Sequence, residues 1–101
     1  MSFLNFNDGI IAFKADKNAV LLDVRTKEEY NAGHIDGSIN LPMQSLNKIS
    51  AEVENRFTPL YVYCHSGVRS AKAVKILRNK GYINVTDIDG IKDYKNTEEL
   101  S

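Results

Sequence analysis

The sequence has only one cysteine and no tryptophan among its 101 residues, and its 13 basic side chains are balanced by 13 acidic ones. A single cysteine excludes an intramolecular disulfide and a cysteine-rich zinc site. Because small secreted domains usually depend on several disulfides, we expect a cytoplasmic protein without a secretory signal. The balanced charge excludes a chain-wide basic field for nucleic acid, and no apolar run approaches the roughly 18 residues of a membrane span.

The length fits one small domain, and a hydrophobic content of 43% is typical of a globular chain. We therefore predict a single domain over residues 1–101, with a core over about 6–95 and a polar C-terminal tail. The one cysteine and two histidines occur in no recognised ligand spacing. We expect neither a bound metal nor a cofactor.

Apolar runs and helical periodicities alternate along the chain. Strands are predicted at 20–22, which is typical of a strand buried on both faces, and at 38–41, 60–63 and 85–88. Helices are predicted at 9–15 with Asp8 as the cap, at 26–30 with a Thr26–Glu29 capping box, at 43–55, and at 69–80. In the first helix Ile10, Ile11 and Phe13 are candidates for burial, and in the third Leu46, Ile49 and Val53 are. The alternation predicts a three-layer α/β fold, with a mostly parallel sheet of about five strands flanked by helices.

The sole cysteine, Cys64, follows the clearest strand and precedes the clearest helix. Between them lies a short polar loop, and in parallel sheets ligands bind beyond the carboxyl ends of the strands. Backbone N–H groups of such a loop and the following helix N-terminus stabilise an anion, and the nearest candidate is the Cys64 thiolate. We predict Cys64 as the nucleophile. The predicted substrate-binding residues are His65, Ser66, Gly67, Val68, Arg69 and Ser70.

The side chains of this loop have distinct expected roles. Gly67 permits a backbone conformation that is closed to other residues. Arg69 provides a charged fork suited to an oxyanion, and Ser66 and Ser70 are candidates to donate hydrogen bonds to the sulfur or to substrate. The alternative is that Cys64 is a buried structural residue, as free cysteines often are.

The spacing from Cys64 to Arg69 bears on the chemistry. Four residues lie between them, one fewer than in cysteine-dependent phosphatases. A tighter ring suits one extra sulfur atom better than a phosphoryl group, so the spacing favours sulfur transfer over phosphate hydrolysis.

Several stretches of the chain resemble the single-domain rhodanese-like sulfurtransferase family. They occur in family order at 21–25, 28–30, 33–42, 61–70, 77–82 and 84–85, and they span about three quarters of the chain. The resemblance implies a parallel sheet flanked by helices. It also implies that Cys64 accepts a sulfane sulfur as a persulfide, from thiosulfate or another small donor, and passes it to cyanide, a thiol or an acceptor protein.

The chain departs from the family pattern at four positions. Gly90 stands alone where the family often has two glycines, Tyr94 replaces a usual tryptophan, and Asp36 and Ser38 replace a frequent proline and alanine. These changes affect packing and turns more than the sulfur loop. A non-catalytic binding or regulatory module stays open as an alternative, and a cysteine-dependent phosphatase or arsenate reductase is a weaker one.

Asp23 and Arg25, which follow a buried strand, are possible supporting residues. A functional interpretation places them near the sulfur loop and its anion. A structural interpretation, which we favour, pairs Arg25 with Glu28 or Glu29 at the start of the next helix.

The two histidines have different expected roles. We expect His34 to bond to backbone. For His65 two interpretations stay open, a role in the loop and simple exposure to solvent.

Residues 64–80 contain five basic side chains and no acidic one, and residues 81–101 contain five acidic and two basic ones. Two interpretations of this basic segment are open. It is a solvated helix face, or it attracts anionic donors or an acidic partner protein.

Overall fold

Strands and helices alternate along the chain, as the sequence predicts. The structure, a computed structural model, describes residues 2–93, so Tyr94 and the predicted tail lie outside the described residues. The strands are β1 (Ser2–Phe3), β2 (Val20–Asp23), β3 (Ser38–Asn40), β4 (Leu60–Cys64) and β5 (Val85–Gly90). The α-helices are α1 (Phe6–Ala15), α2 (Lys27–Ala32), α3 (Ile49–Glu52) and α4 (Val68–Asn79), and two 3-10 helices span Met43–Lys48 and Ile91–Asp93.

The sheet is parallel throughout, with the strand order β1-β5-β4-β2-β3. Its body consists of four strands of three to six residues, rather than the five predicted, and the two-residue β1 extends it at one edge. The α/β class is confirmed. Since β4 lies at the centre, between β5 and β2, its last residue, Cys64, emerges in the middle of the carboxyl edge.

The two faces of the sheet carry separate apolar clusters, which gives the predicted three layers. The smaller cluster lies under α1 and comprises Phe6, Ile10, Leu21, Ile35, Tyr63 and Ile88. The larger cluster lies under α3 and α4 and includes Leu22, Leu60, Val62, Cys64, Val74 and Leu77. Neighbouring residues of β4 point to opposite faces, so Tyr63 and Cys64 enter different clusters.

The first helix begins earlier than predicted. It starts at Phe6, and its cap is Asn5 rather than Asp8: the Asn5 side chain accepts a hydrogen bond from the backbone N–H of Asp8. Ile10 is buried at 3% exposure, but Ile11 is 66% exposed, so its predicted burial is wrong. Consecutive helix residues point about 100° apart, so Ile10 faces the sheet while Ile11 lies outside the buried stripe.

The predicted helix over 43–55 is divided and shorter. A 3-10 helix over Met43–Lys48 leads into α3, which ends at Glu52 because Val53 is extended. Leu46, Ile49 and Val53 are nevertheless buried, as the spacing predicts. Within residues 2–93 no helix has the length and apolar character needed to cross a membrane.

Candidate active site

The candidate site is the loop between β4 and α4. Cys64 ends the strand, and Gly67 occupies the cap position of α4 with φ 96°, in the left-handed region that favours glycine. The backbone N–H of Gly67 donates to Sγ of Cys64 at 3.0 Å. This places one hydrogen-bond donor and the N-terminus of a 12-residue helix beside the sulfur, and both favour its negative form.

The sulfur is enclosed by its own loop. Cys64 is only 1% exposed, whereas His65, Ser66 and Val68 are exposed at the rim. The rim residues are therefore open to solvent, whereas the sulfur is not. The roles predicted for His65 and Ser66 toward substrate stay predictions.

Ser70 is turned away from the sulfur and toward β5. Its hydroxyl donates to Oδ1 of Asp87 at 2.9 Å and lies 3.1 Å from the carbonyl oxygen of Gly67. Because a hydroxyl has one proton, the bond to the carboxylate uses it. Ser70 thus links the first turn of α4 to β5. It does not donate to Sγ, which was one of its two predicted roles, and its predicted role toward substrate stays a prediction.

Arg69 is already engaged by a carboxylate from another element. Its Nη1 and Nη2 donate to Oε1 and Oε2 of Glu29 at 2.6 and 2.9 Å, in a bidentate pair. Through the hydrogen bond from Arg69, the pKa of Glu29 falls from 4.5 to about 2, and the pKa of Arg69 is raised in turn. The predicted oxyanion fork is thus neutralised within the protein.

Glu29 also completes the capping box that the sequence predicts. Its Oε1 accepts from the backbone N–H and the hydroxyl of Thr26, and the Thr26 hydroxyl accepts from the backbone N–H of Glu29. The start of α2 and the start of α4 are therefore joined through one side chain. The sequence did not predict this link, because the two partners are 40 residues apart.

Arg25 pairs with Asp23 rather than with Glu28 or Glu29, so that prediction is wrong. Nη2 of Arg25 lies 2.7 Å from Oδ2 of Asp23, Nε lies 3.0 Å from both carboxylate oxygens, and both side chains are buried. Arg25 follows the end of β2 by two residues, and its backbone N–H also donates to Oδ1 of Asp23 at 2.9 Å, so a local turn brings the two side chains together. Burial alone would lower the pKa of Arg25, but the hydrogen bond and charge of Asp23 outweigh it, and the pKa is raised.

The end of β5 presses against the loop through an irregularity in the pairing. Val62 is opposite Asp87 and Cys64 is opposite Gly90, so β5 has one more residue than β4 over this stretch. Asp89 takes φ 73° there, and a Cβ added to Gly67 would lie 2.0 Å from its Oδ1. The backbone of β5 is equally close, since a Cβ on Gly90 would lie 2.1 Å from the carbonyl oxygen of His65.

Asp87 and Asp89 are site residues that the sequence reasoning missed. Asp87 is buried, and it accepts from the Ser70 hydroxyl and from the backbone N–H of Asp89. The available signal was an acidic residue, Asp87, within the strand predicted at 85–88 and a second one directly after it, since buried carboxylates require partners.

The histidines behave differently. Nδ1 of His34 lies 2.8 Å from the carbonyl oxygen of Tyr30, and the two rings stack with centroids 3.7 Å apart, which confirms its predicted backbone contact. His65 is held by its backbone, whose carbonyl accepts from the N–H of Lys92 at 3.1 Å. Among residues 2–93, no three His, Cys, Asp or Glu side chains are grouped so that they could hold a metal ion.

The protein is a parallel α/β sheet with a cysteine loop at the carboxyl end of its central strand. Comparison with known proteins identifies the family that has this arrangement. The family model of the rhodanese-like domain matches residues 9–97. The chain belongs to this family.

The curated relatives include enzymes and carriers of sulfur. The chain is 36% identical over 73 residues to thiosulfate sulfurtransferase PspE of Escherichia coli, which covers 71% of this chain and 70% of that one. It is 33% identical over 86 residues to the putative sulfur carrier protein YrkF of Bacillus subtilis, covering 84% of this chain but 46% of YrkF. The chain thus spans less than half the length of YrkF.

Solved structures show the same fold. A rhodanese from E. coli, determined with anions, superposes with a TM-score of 0.71 at 34% identity, covering 75% of this chain and 91% of that one. A rhodanese-like domain protein from Staphylococcus aureus gives 0.79 at 28% identity and covers 100% of this chain and 97% of its own. Activity as a sulfurtransferase is thereby supported at the level of the family.

Proposed function

We propose that this protein is a thiosulfate or persulfide sulfurtransferase whose nucleophile is Cys64. The observation that carries the proposal is the hydrogen bond from the Gly67 N–H to Sγ at 3.0 Å, made at the N-terminus of α4 by the only cysteine of the chain. A thiolate held by fixed dipoles at a strand end is a typical activated nucleophile. The names of the relatives support the same chemistry.

The reaction consists of two half-reactions. The Cys64 thiolate attacks the outer sulfur of thiosulfate, a new S–S bond forms, the S–S bond of the donor breaks, and sulfite leaves with the electron pair. Cyanide or a thiolate then attacks the outer sulfur of the Cys64 persulfide, and the Cys64 thiolate departs. Because the sulfur rests on the protein between the two steps, we expect ping-pong kinetics.

The acceptor comes from outside this chain. Cys64 is its only cysteine, so no second thiol of the chain resolves the persulfide. A small thiol or an acceptor protein fits this requirement. An unpaired, reactive cysteine also suits a reducing compartment such as the cytoplasm.

The first test is the mass of the intact protein after incubation with thiosulfate and desalting. We expect the addition of one sulfur atom, and we expect its loss when cyanide is added, with thiocyanate formed in equal amount. Cys64→Ser should show neither. If the wild-type protein gains no cyanide-reactive sulfur, the proposal fails.

A matched control separates the contribution of the loop to turnover from that of a thiol alone. In the double variant Cys64→Ser/Ser50→Cys, the single thiol is moved to an exposed position of α3. Its thiolate lacks the Gly67 N–H, so we expect turnover close to that of Cys64→Ser. Turnover at the wild-type rate would show that the loop contributes nothing.

A binding module is the competing function, and one observation favours it: Cys64 is 1% exposed. In that case the exposed rim residues would dock a partner and the sulfur would stay closed. Alkylation with iodoacetamide in the absence of donor distinguishes the two. Modification of the native protein at a rate well above that of its unfolding shows that the loop admits a reagent, whereas complete protection supports the module.

A further inference from the structure

The charge that a sulfur donor meets at the loop is set by the pairing of Arg69 with Glu29. Arg69 is the only arginine or lysine between Cys64 and Ser70. An unpaired guanidinium there would attract a dianion such as thiosulfate. Its two Nη groups are instead bound at 2.6 and 2.9 Å by a carboxylate that stays ionised down to low pH, because the pKa of Glu29 is about 2.

The other carboxylate groups near the loop also have fixed partners. Asp23 acts on Arg69 electrostatically but is itself paired with Arg25, and Asp87 accepts from Ser70. The pair of Arg69 and Glu29 is the one near the rim, where both side chains are 34% exposed. A donor that reaches the rim therefore meets a neutral pair rather than a cation.

We propose that Glu29 is a specificity-determining residue of the sulfur loop, which lowers the preference for doubly charged donors by neutralising Arg69. The inference rests on the proposed function and narrows its substrate class. It assigns this protein to donors that bring one negative charge or none to the reacting sulfur, such as persulfides of thiols and thiosulfonates. Thiosulfate is then a poorer donor than the basic segment of the sequence suggests.

Two small donors isolate charge from shape. Thiosulfate carries two negative charges, whereas methanethiosulfonate has a methyl group in place of one oxygen and carries one. Both deliver their outer sulfur to the Cys64 thiolate with cleavage of one S–S bond, and the leaving groups are sulfite and methanesulfinate. If replacement of Glu29 changes kcat/KM differently for the two donors, the difference reports on donor charge.

The test is Glu29→Gln, measured by kcat/KM for both donors with cyanide as acceptor. Glutamine retains the capping-box contact to Thr26, so the helix start is preserved. Released from its carboxylate, Arg69 should raise kcat/KM about tenfold for thiosulfate and about threefold for methanethiosulfonate, because Coulomb attraction scales with donor charge and is weakened by exposure. The thiosulfate gain should shrink at 1 M salt, where screening acts over about 3 Å.

Glu28→Gln is the matched control, since it removes the same charge from the same turn of α2 at an exposed position. We expect it to change either value less than twofold. The inference is overturned if Glu28→Gln matches Glu29→Gln, if Glu29→Gln raises both donors equally, or if it lowers both, which would make the pair a purely structural tie. Failure of both donors to load Cys64 would instead refute the proposed function.

Discussion

Replacing Gly67 with alanine tests how tightly the sulfur loop is built. The residue combines three features: φ is 96°, its N–H donates to Sγ of Cys64, and an added Cβ would lie 2.0 Å from Oδ1 and 3.1 Å from Cγ of Asp89. The backbone conformation costs an alanine about 1–2 kcal/mol. Relieving the collision requires Asp89 to move and adds about 1–3 kcal/mol.

The expected loss of stability for Gly67→Ala is therefore about 2–5 kcal/mol, which corresponds to a fall in Tm of about 8–40 °C in a domain of this size. Gly81→Ala provides the reference. Gly81 has the same φ of 96°, but its added Cβ would meet only Arg56 at 3.7 Å, in ordinary contact. That variant should lose about 1–2 kcal/mol, from the backbone alone, and should keep full activity.

Urea unfolding and cyanide-coupled turnover measure the two effects. In the double variant Gly67→Ala/Asp89→Gly, the colliding carboxylate is absent, so a double-mutant cycle should show a favourable coupling of about 1–3 kcal/mol. Activity should fall at least tenfold in Gly67→Ala, because displacement of the loop moves the N–H away from Sγ. If Gly67→Ala is no more destabilising than Gly81→Ala and keeps wild-type turnover, the close fit of the loop to β5 is not what holds the site.

Three further changes test the ion pairs and the core. The lowered pKa of Glu29 gives stability that is present above pH about 4.5 and is lost as pH falls toward about 2. At neutral pH the free energy of unfolding of wild type should exceed that of Glu29→Gln by at most about 1 kcal/mol, because the pair is partly exposed, and urea unfolding should show this advantage vanishing near pH 2. Arg25→Met leaves the buried Asp23 without its partner and should cost about 3–5 kcal/mol in urea unfolding; a cost below 1 kcal/mol would show that the pair does not support the strand end. Ile10→Ala should cost about 2–4 kcal/mol and Ile11→Ala less than about 0.5 kcal/mol, and equal costs would contradict the assigned face of the first helix.

Local patterns predict the parts of the site that are themselves local. The strand that delivers Cys64, the glycine at the helix cap and the Thr26–Glu29 capping box each depend on residues within a few positions of one another. Such contacts follow from backbone geometry, so spacing in the sequence is enough to find them. Asp23 and Arg25 belong to this group as well. They are two residues apart, the backbone N–H of Arg25 donates to Oδ1 of Asp23, and the prediction that paired Arg25 with α2 overlooked this local turn.

The contacts that define the charge and the fit of the loop are not local. Glu29 meets Arg69 across 40 residues, and Ser70 meets Asp87 across 17. Both meetings depend on strand order, and the second depends also on the extra residue in β5 that turns Asp89 toward Gly67. A sequence shows that these residues are charged or small, but the sheet determines which of them touch.

The arrangement divides two tasks between different groups. In the proposed reaction, the Gly67 N–H and the start of α4 stabilise the Cys64 thiolate at short range, whereas Arg69, bound to Glu29, acts on it only through its charge. Fixed dipoles perform this task without reorganising, provided that the loop is held in place, and β5 holds it through the bond from Ser70 to Asp87 and the close approach of Gly90. Attraction of the donor is then controlled separately, at the partly exposed pair. Salt should therefore alter the capture of charged donors mainly in Glu29→Gln, where Arg69 is released, while leaving the reactivity of the enclosed sulfur nearly constant.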